Sequence, residues 1–340
     1  MSEGSSTGEA AVQANWHVAP SPHVSDQSFT TRRMMIDVLI GLAPALIMSV
    51  YMFRFYAVLV IGLCTVTCLA GEILFVKMRG RKVTINDCSA VVTGIILGMS
   101  LPWNTPWFIC ILGALVAIGL GKVCFGGIGF NIFNPAMVGR AFIMLSFAAK
   151  LGGAAYQKAI TATESGAATA VDAMTQATPL TAFKETGAVP EIMPIFLGTV
   201  NGSLGEISAL ALLLGGIYLC LRKTASWEIP VGTFIGVTVC AFVPWLMHRE
   251  TSMSPIHHLC SGAVLLLAFF IATDPVTSPL TSKGKWIFGL GCGVLVMVLR
   301  LFSSYPEGAM FAVLLMNAAT PLINRLTIPR PLGGPVPQKA

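Results

Sequence analysis

Apolar residues run along this chain in long blocks, without the alternation of a half-buried strand or the narrow stripe of a surface helix. Blocks long enough to match about 30 Å of hydrocarbon extend over Ile36–Phe53, Phe55–Val76, Ile85–Leu101, Trp107–Val123 and Pro135–Ala149. After a polar stretch they resume over Leu204–Leu221, Trp227–Met247, His258–Thr273, Trp286–Phe302 and Ala309–Ile323. The pattern predicts an all-α integral membrane protein of about ten transmembrane helices. Five segments per half is an odd number, so halves that are related must be inverted, as in many transport folds. A faint internal likeness points the same way. Asn134-Pro135-Ala136-Met137 opens the fifth segment much as Pro306-Glu307-Gly308-Ala309-Met310 opens the tenth, and Pro102 and Pro275 mark turns after the third and eighth. The expected organisation is an N-terminal segment, 1–35, a first five-helix half, 36–149, a loop, 150–203, a second five-helix half, 204–325, and a tail, 326–340.

Composition strengthens this picture. Charged residues make up 11% of the chain and apolar residues 55%, with a mean hydropathy of +0.77, whereas a soluble domain carries about a quarter charged residues. The lipid bilayer is the expected solvent. A formal charge of +6 would suit nucleic acid only if the bases shared one polar face, and here they are scattered between apolar runs, so nucleic-acid binding is not expected. Their placement sets the topology instead. With the N-terminus inside, inner connections hold fourteen of the 21 Lys and Arg residues, among them Arg79, Arg81, Lys82 and Lys122. The short outer connections hold only Arg54, Arg249 and Arg300. By the positive-inside rule both termini are cytoplasmic and the 150–203 loop faces outward. No basic residue precedes Arg32, and no cleavable signal peptide is expected.

Nine cysteines stand singly in or beside apolar stretches, without a CxxC pair, and five histidines form no ligand constellation. The cysteines read as small buried residues, and neither haem nor zinc nor an iron–sulfur cluster is indicated. The polar loop contains Asp172-Ala173-Met174-Thr175-Gln176-Ala177-Thr178-Pro179-Leu180. By composition alone this is a polar loop with a proline turn, and no base stands beside Thr178.

That segment resembles the Asp-x-x-Ser/Thr-Gly-Ala-Thr motif at which a flavin transferase esterifies FMN, through its phosphate, to a threonine in the D subunit of Rnf complexes and the B subunit of Nqr complexes. Asp172, Thr175, Ala177 and Thr178 occupy the matching positions, with Gln176 in place of the usual glycine. The resemblance extends from about Ser21 to Arg325, through RRMMIDVLIGLAPAL, GGIGFNIFNPAMVGRAF, GSLGEISALALLLGGIYL, ATDPVTSPLTSKGK and YPEGAMFAVLLMNAATPLI. The short segment before the first apolar block is more similar to the Rnf D subunit than to its Nqr counterpart in a sodium-translocating NADH:quinone reductase. The resemblance implies a flavin-carrying redox subunit in a bacterial cytoplasmic (inner) membrane, with FMN held covalently on Thr178. Electrons would pass between partner subunits while the assembled Rnf complex moves Na+ or H+, and a flavin transferase would be a further partner. Donor oxidation would belong to those partners, because the chain has no dinucleotide fingerprint. A flavin-free permease is the competing reading, since an inverted five-plus-five arrangement is equally a transporter design.

Asn131 and Asn134 stand three apart at the mouth of the fifth segment, where an amide caps a helix or hydrogen-bonds an isoalloxazine edge. In the Nqr relative this pair resembles the place of a non-covalent riboflavin. Arg140 lies inside the fifth segment and needs a carboxylate, a carbonyl dipole or a flavin phosphate. Glu72, Glu206 and Asp274 are carboxylates within or at the ends of apolar segments, with Asp37 and Glu307 near segment ends. Each is a candidate for cation or proton coupling, or alternatively a partner of Arg140 or a helix cap.

Overall fold

The computed structural model describes residues 30–81, 85–148, 178–187, 189–247, 252–303 and 307–329. Among them every regular element is helical. The first half comprises α1 (Thr31–Phe53), α2 (Phe55–Met78), α3 (Ser89–Met99), α4 (Trp107–Ile118), which runs on into a π-turn at Gly119–Val123, and α5 (Pro135–Ser146). Two short helices follow, α6 (Pro179–Thr186) and α7 (Ile192–Leu197). The second half comprises α8 (Ala209–Leu221), α9 (Glu228–Met247), α10 (Pro255–Cys260), α11 (Val264–Leu266) with a π-turn at Leu267–Ile271, α12 (Ser282–Phe302) and α13 (Ala309–Thr327).

Among the described residues, five helices, α1, α2, α9, α12 and α13, are long and apolar enough to cross a membrane. They coincide with predicted segments. The other segments resolve differently. The third begins with a turn of 3-10 helix at Ile85–Asp87, and the helix proper has 11 residues, about 16 Å at 1.5 Å per residue. The sixth predicted segment starts with irregular chain, and α8 forms only from Ala209, where Ser208 caps it by accepting a hydrogen bond from Ala211 N–H at 3.2 Å. The eighth is broken, because Gly262 has φ +69° between α10 and α11. Hydropathy counts such interruptions as continuous apolar chain, and helical hydrogen bonding does not.

Large apolar side chains such as Ile47, Tyr51, Leu74, Leu145, Val239, Phe242 and Leu322 stand on the outer surface, which suits a lipid-facing wall. Inside, small residues let backbones approach. α1 crosses α8 where Gly41 meets Gly215, and a Cβ built on Gly215 would fall on the Gly41 carbonyl oxygen. α9 and α12 meet in the same way through Gly236 and Gly293. α2 packs on α3 and α4, and α4 on α5. In the second half α9 packs on α12, and α12 on α13.

Candidate functional site

A first site lies where both halves contribute. The loop after α4 carries Asn131 and Asn134, both buried. Asn134 has an extended backbone and caps α5, its Oδ1 accepting from Ala136 N–H at 3.1 Å and Met137 N–H at 3.4 Å. Pro135 takes the first helical position, where its missing N–H costs nothing. The Asn134 amide nitrogen donates to the carbonyl of Ile271 at 3.4 Å, so the cap of one half is tied to the π-turn of the other. Asn131 donates to its local Phe133 carbonyl at 3.3 Å.

Beside this pair opens a cavity of about 760 Å³, counting its mouth, bordered by Asn131, Asn134, Lys122, Thr224, Thr273 and Asp274. Asp274 sits in a turn, with one carboxylate oxygen accepting from Val276 N–H at 3.4 Å and the other from the Thr277 hydroxyl at 3.2 Å. It is thus a turn-capping group and a cavity-lining one together. The wall nearest α3 is a buried polar chain. Lys122 Nζ donates to Glu72 Oε1 at 2.6 Å and to Ser89 Oγ at 2.6 Å, and Ser89 Oγ in turn donates to Asp87 Oδ1 at 2.7 Å. Glu72 and Lys122 are 1% and 3% exposed, so this pair is desolvated and each charge depends on the other. The charge pattern puts Lys122 in an inner connection and offers Arg140 as a partner for buried carboxylates. The structure turns Lys122 inward to take Glu72.

A second site lies at the other end of α8. Thr178 caps α6, its Oγ1 accepting from Thr181 N–H at 3.1 Å and sharing a hydrogen bond with Thr181 Oγ1 at 2.8 Å. It borders a small pocket with Asn201, Glu206, Ser261, Gly262 and Glu307. Glu206 and Glu307 face each other within hydrogen-bonding reach, and Arg140 approaches Glu206. Arg300 is 3% exposed and close to both carboxylates, yet its Nη atoms donate to the carbonyls of His258 and Ser261, at 2.6 and 2.7 Å. Glu307 Oε1 accepts from Ala263 N–H at 2.7 Å. Gly262 makes this fit possible, since a Cβ there would collide with both the Glu307 carboxylate and the Arg300 guanidinium.

Thr178, Glu206 and Arg140 are therefore gathered in one place, and Asn131, Asn134 and Asp274 in another, with Glu72 behind the latter. Asp172, Thr175 and Ala177 lie outside the described residues. In the sequence Glu307 stands out only as a segment-end carboxylate, and Arg300 falls in an outer connection. The signal for Arg300 was present, because it interrupts the apolar run from Trp286 to Phe302, where a charge needs a partner.

The family model described as NQR2, RnfD, RnfE matches residues 17–333. The chain belongs to that family. Within the family, a sequence 40% identical over 325 residues, covering 94% of this chain and 96% of the other, is the D subunit of the Na(+)-translocating ferredoxin:NAD(+) oxidoreductase complex of Acetobacterium woodii. Another, 38% identical and covering 96% of this chain and 98% of its own length, is the D subunit of the proton-translocating ferredoxin:NAD(+) oxidoreductase complex of Clostridium ljungdahlii. The D subunit of the ion-translocating oxidoreductase complex of Cronobacter sakazakii is 37% identical, with coverage of 94% and 99%. The likeness to the Rnf D subunit read from the sequence blocks is thereby borne out over nearly the whole chain.

Proposed function

We propose that the chain is the flavin-carrying membrane subunit of an Rnf-type ion-translocating oxidoreductase complex, relaying electrons between partner subunits from FMN esterified to Thr178 and a riboflavin in the Asn131–Asn134 cavity. The observation that carries this reading is the placement of the two sites. Glu206 immediately precedes α8 at the Thr178 pocket, and Leu219, near the other end of α8, lines the cavity. From Ala209, where α8 begins, to Leu219 the helix rises about 15 Å at 1.5 Å per residue, so two redox groups would sit toward opposite faces of the bundle. The relatives carry names that place their D subunits in ferredoxin:NAD(+) oxidoreductase complexes, which supports a redox role within an assembly.

The residues suit the groups. Thr178 stands at the N-terminus of α6, where the positive end of the helix dipole favours a phosphate, and Arg300 and Lys184 add positive charge nearby. The cavity offers amide, hydroxyl and ammonium groups against apolar walls. When bound, flavins supply the electron chemistry. The chain binds and orients them and holds a low-dielectric path between them. The matching helix pairings of the two halves support inverted five-helix repeats, with the short α3 and the broken α10–α11 as corresponding elements. The charge distribution supports cytoplasmic termini.

The decisive experiment is to co-express the chain with a flavin transferase, denature it and look for flavin fluorescence on the gel band. Fluorescence in the wild type that disappears in Thr178→Ala is expected. A dark wild-type band beside an active transferase would sink the covalent-flavin reading and favour the permease, which the broken helices and central cavity would also serve.

A further inference from the structure

Four charged side chains, Arg140, Glu206, Arg300 and Glu307, converge beneath Thr178, yet none of them makes an ion pair within 4 Å among the described residues. The ion pairs found there are Lys122–Glu72 and Arg222–Asp37. Arg300 directs both Nη atoms to backbone carbonyls, so the carboxylates are left to face each other and the pocket. Two facing carboxylates cannot both stay ionised in a dry site without a positive group between them. The pocket also contains a second, independent sign of an occupant. Ser261 is 1% exposed and lines the pocket, and its hydroxyl has no hydrogen-bond partner among the described residues. A buried hydroxyl left unpartnered in a polar pocket is costly unless something fills the space. The pocket measures about 280 Å³ with its mouth, and its free interior admits one particle of about the size of a water molecule. Its donors are hard oxygens, the class that alkali and alkaline-earth ions select.

We propose that this pocket is a binding site for a small alkali cation, held between the Glu206 and Glu307 carboxylates with Ser261 Oγ as a third oxygen ligand. Because Arg140, Arg300 and, further out, Lys184 already surround the two carboxylates, a monovalent ion adds the least further positive charge and a divalent one is disfavoured. His258 lends this cluster only its carbonyl, bound by Arg300. The site stands whether or not a flavin is attached. A link between its occupancy and the charge on the group carried by Thr178 rests on the flavin reading above, since the two share one pocket wall.

The test uses the purified full-length chain, without the flavin transferase, at one fixed alkaline pH. Its thermal unfolding midpoint is measured in NaCl and in choline chloride of equal ionic strength, because an ion that binds only the folded state raises the midpoint by mass action. The expected result is a saturable rise of several degrees in NaCl that is absent in choline chloride and abolished in Glu206→Gln and Glu307→Gln. Equilibrium binding of radioactive Na+ to the wild type, expected near one ion per chain, keeps the test intact should the variants fail to fold. A wild type that binds no Na+, or a sodium effect that persists in both variants, overturns the proposal. The same measurement repeated across a pH series reads the alternative: stability that changes with pH and ignores sodium overturns the proposal equally, by making a shared proton the occupant.

Discussion

The Lys122–Glu72 pair shows what a single residue does in this bundle. Each side chain is a charge out of water whose only ionic partner, among the described residues, is the other. Lys122→Met should therefore cost about 3–5 kcal/mol by leaving Glu72 unpaired, and the double change Lys122→Met with Glu72→Leu should recover most of that. Unfolding midpoints of the purified variants would check this, and a double variant no better than the single would refute it. Asn134 makes a different kind of contribution. Asn134→Ala removes the α5 cap, an effect of about 1 kcal/mol, together with the tie to Ile271, and it should release any flavin from the cavity while leaving flavin on Thr178 fluorescent. Neither role was legible in full. The Asn-Pro pair announced a helix start, but a buried partner for Glu72 depended on Lys122 sitting in a π-turn, and hydropathy does not register the one extra residue that reorients it.

At the scale of elements, the contacts with least tolerance are those between glycine faces. Gly215→Leu should drive α1 from α8, because even a methyl group falls on the Gly41 carbonyl. A loss of about 1–3 kcal/mol or outright misfolding is expected. Gly62→Ala on α2, which meets nothing within 4 Å, should be neutral or slightly stabilising through helix propensity. Comparing yields and melting midpoints of the two variants tests whether α1 and α8 truly cross there. The long helices could be read from the sequence because a run of eighteen or more apolar residues has one reading. The short ones could not, since Ser89–Met99 and Val264–Ile271 sit in apolar surroundings that conceal where the helical hydrogen bonds stop. The Glu206–Glu307–Arg300 convergence was likewise out of reach, because three distant stretches meet only once α8, α12 and α13 have packed.

For the molecule as a whole, the charge pattern predicts a topology that can be measured in intact cells. A cysteine introduced at Ser165 should react with a membrane-impermeant thiol reagent from outside, whereas one at Gln338 should react only after the cells are opened. The opposite pattern would reverse the assignment of Thr178 to the outer face and, with it, the sense in which the two sites are ordered across the membrane.

That order acquires a direction from α8 itself. The helix points its amino end at the Thr178 pocket and its carboxyl end at the Asn134 cavity, and aligned peptide dipoles leave roughly half a positive charge at the first end and half a negative one at the second. Two chemically identical redox groups lodged in these pockets would therefore differ in midpoint potential, the one beside Thr178 being easier to reduce. The backbone alone would tilt the landscape on which an electron moves, downhill toward the Thr178 pocket, before any side chain or bound ion adds to the slope.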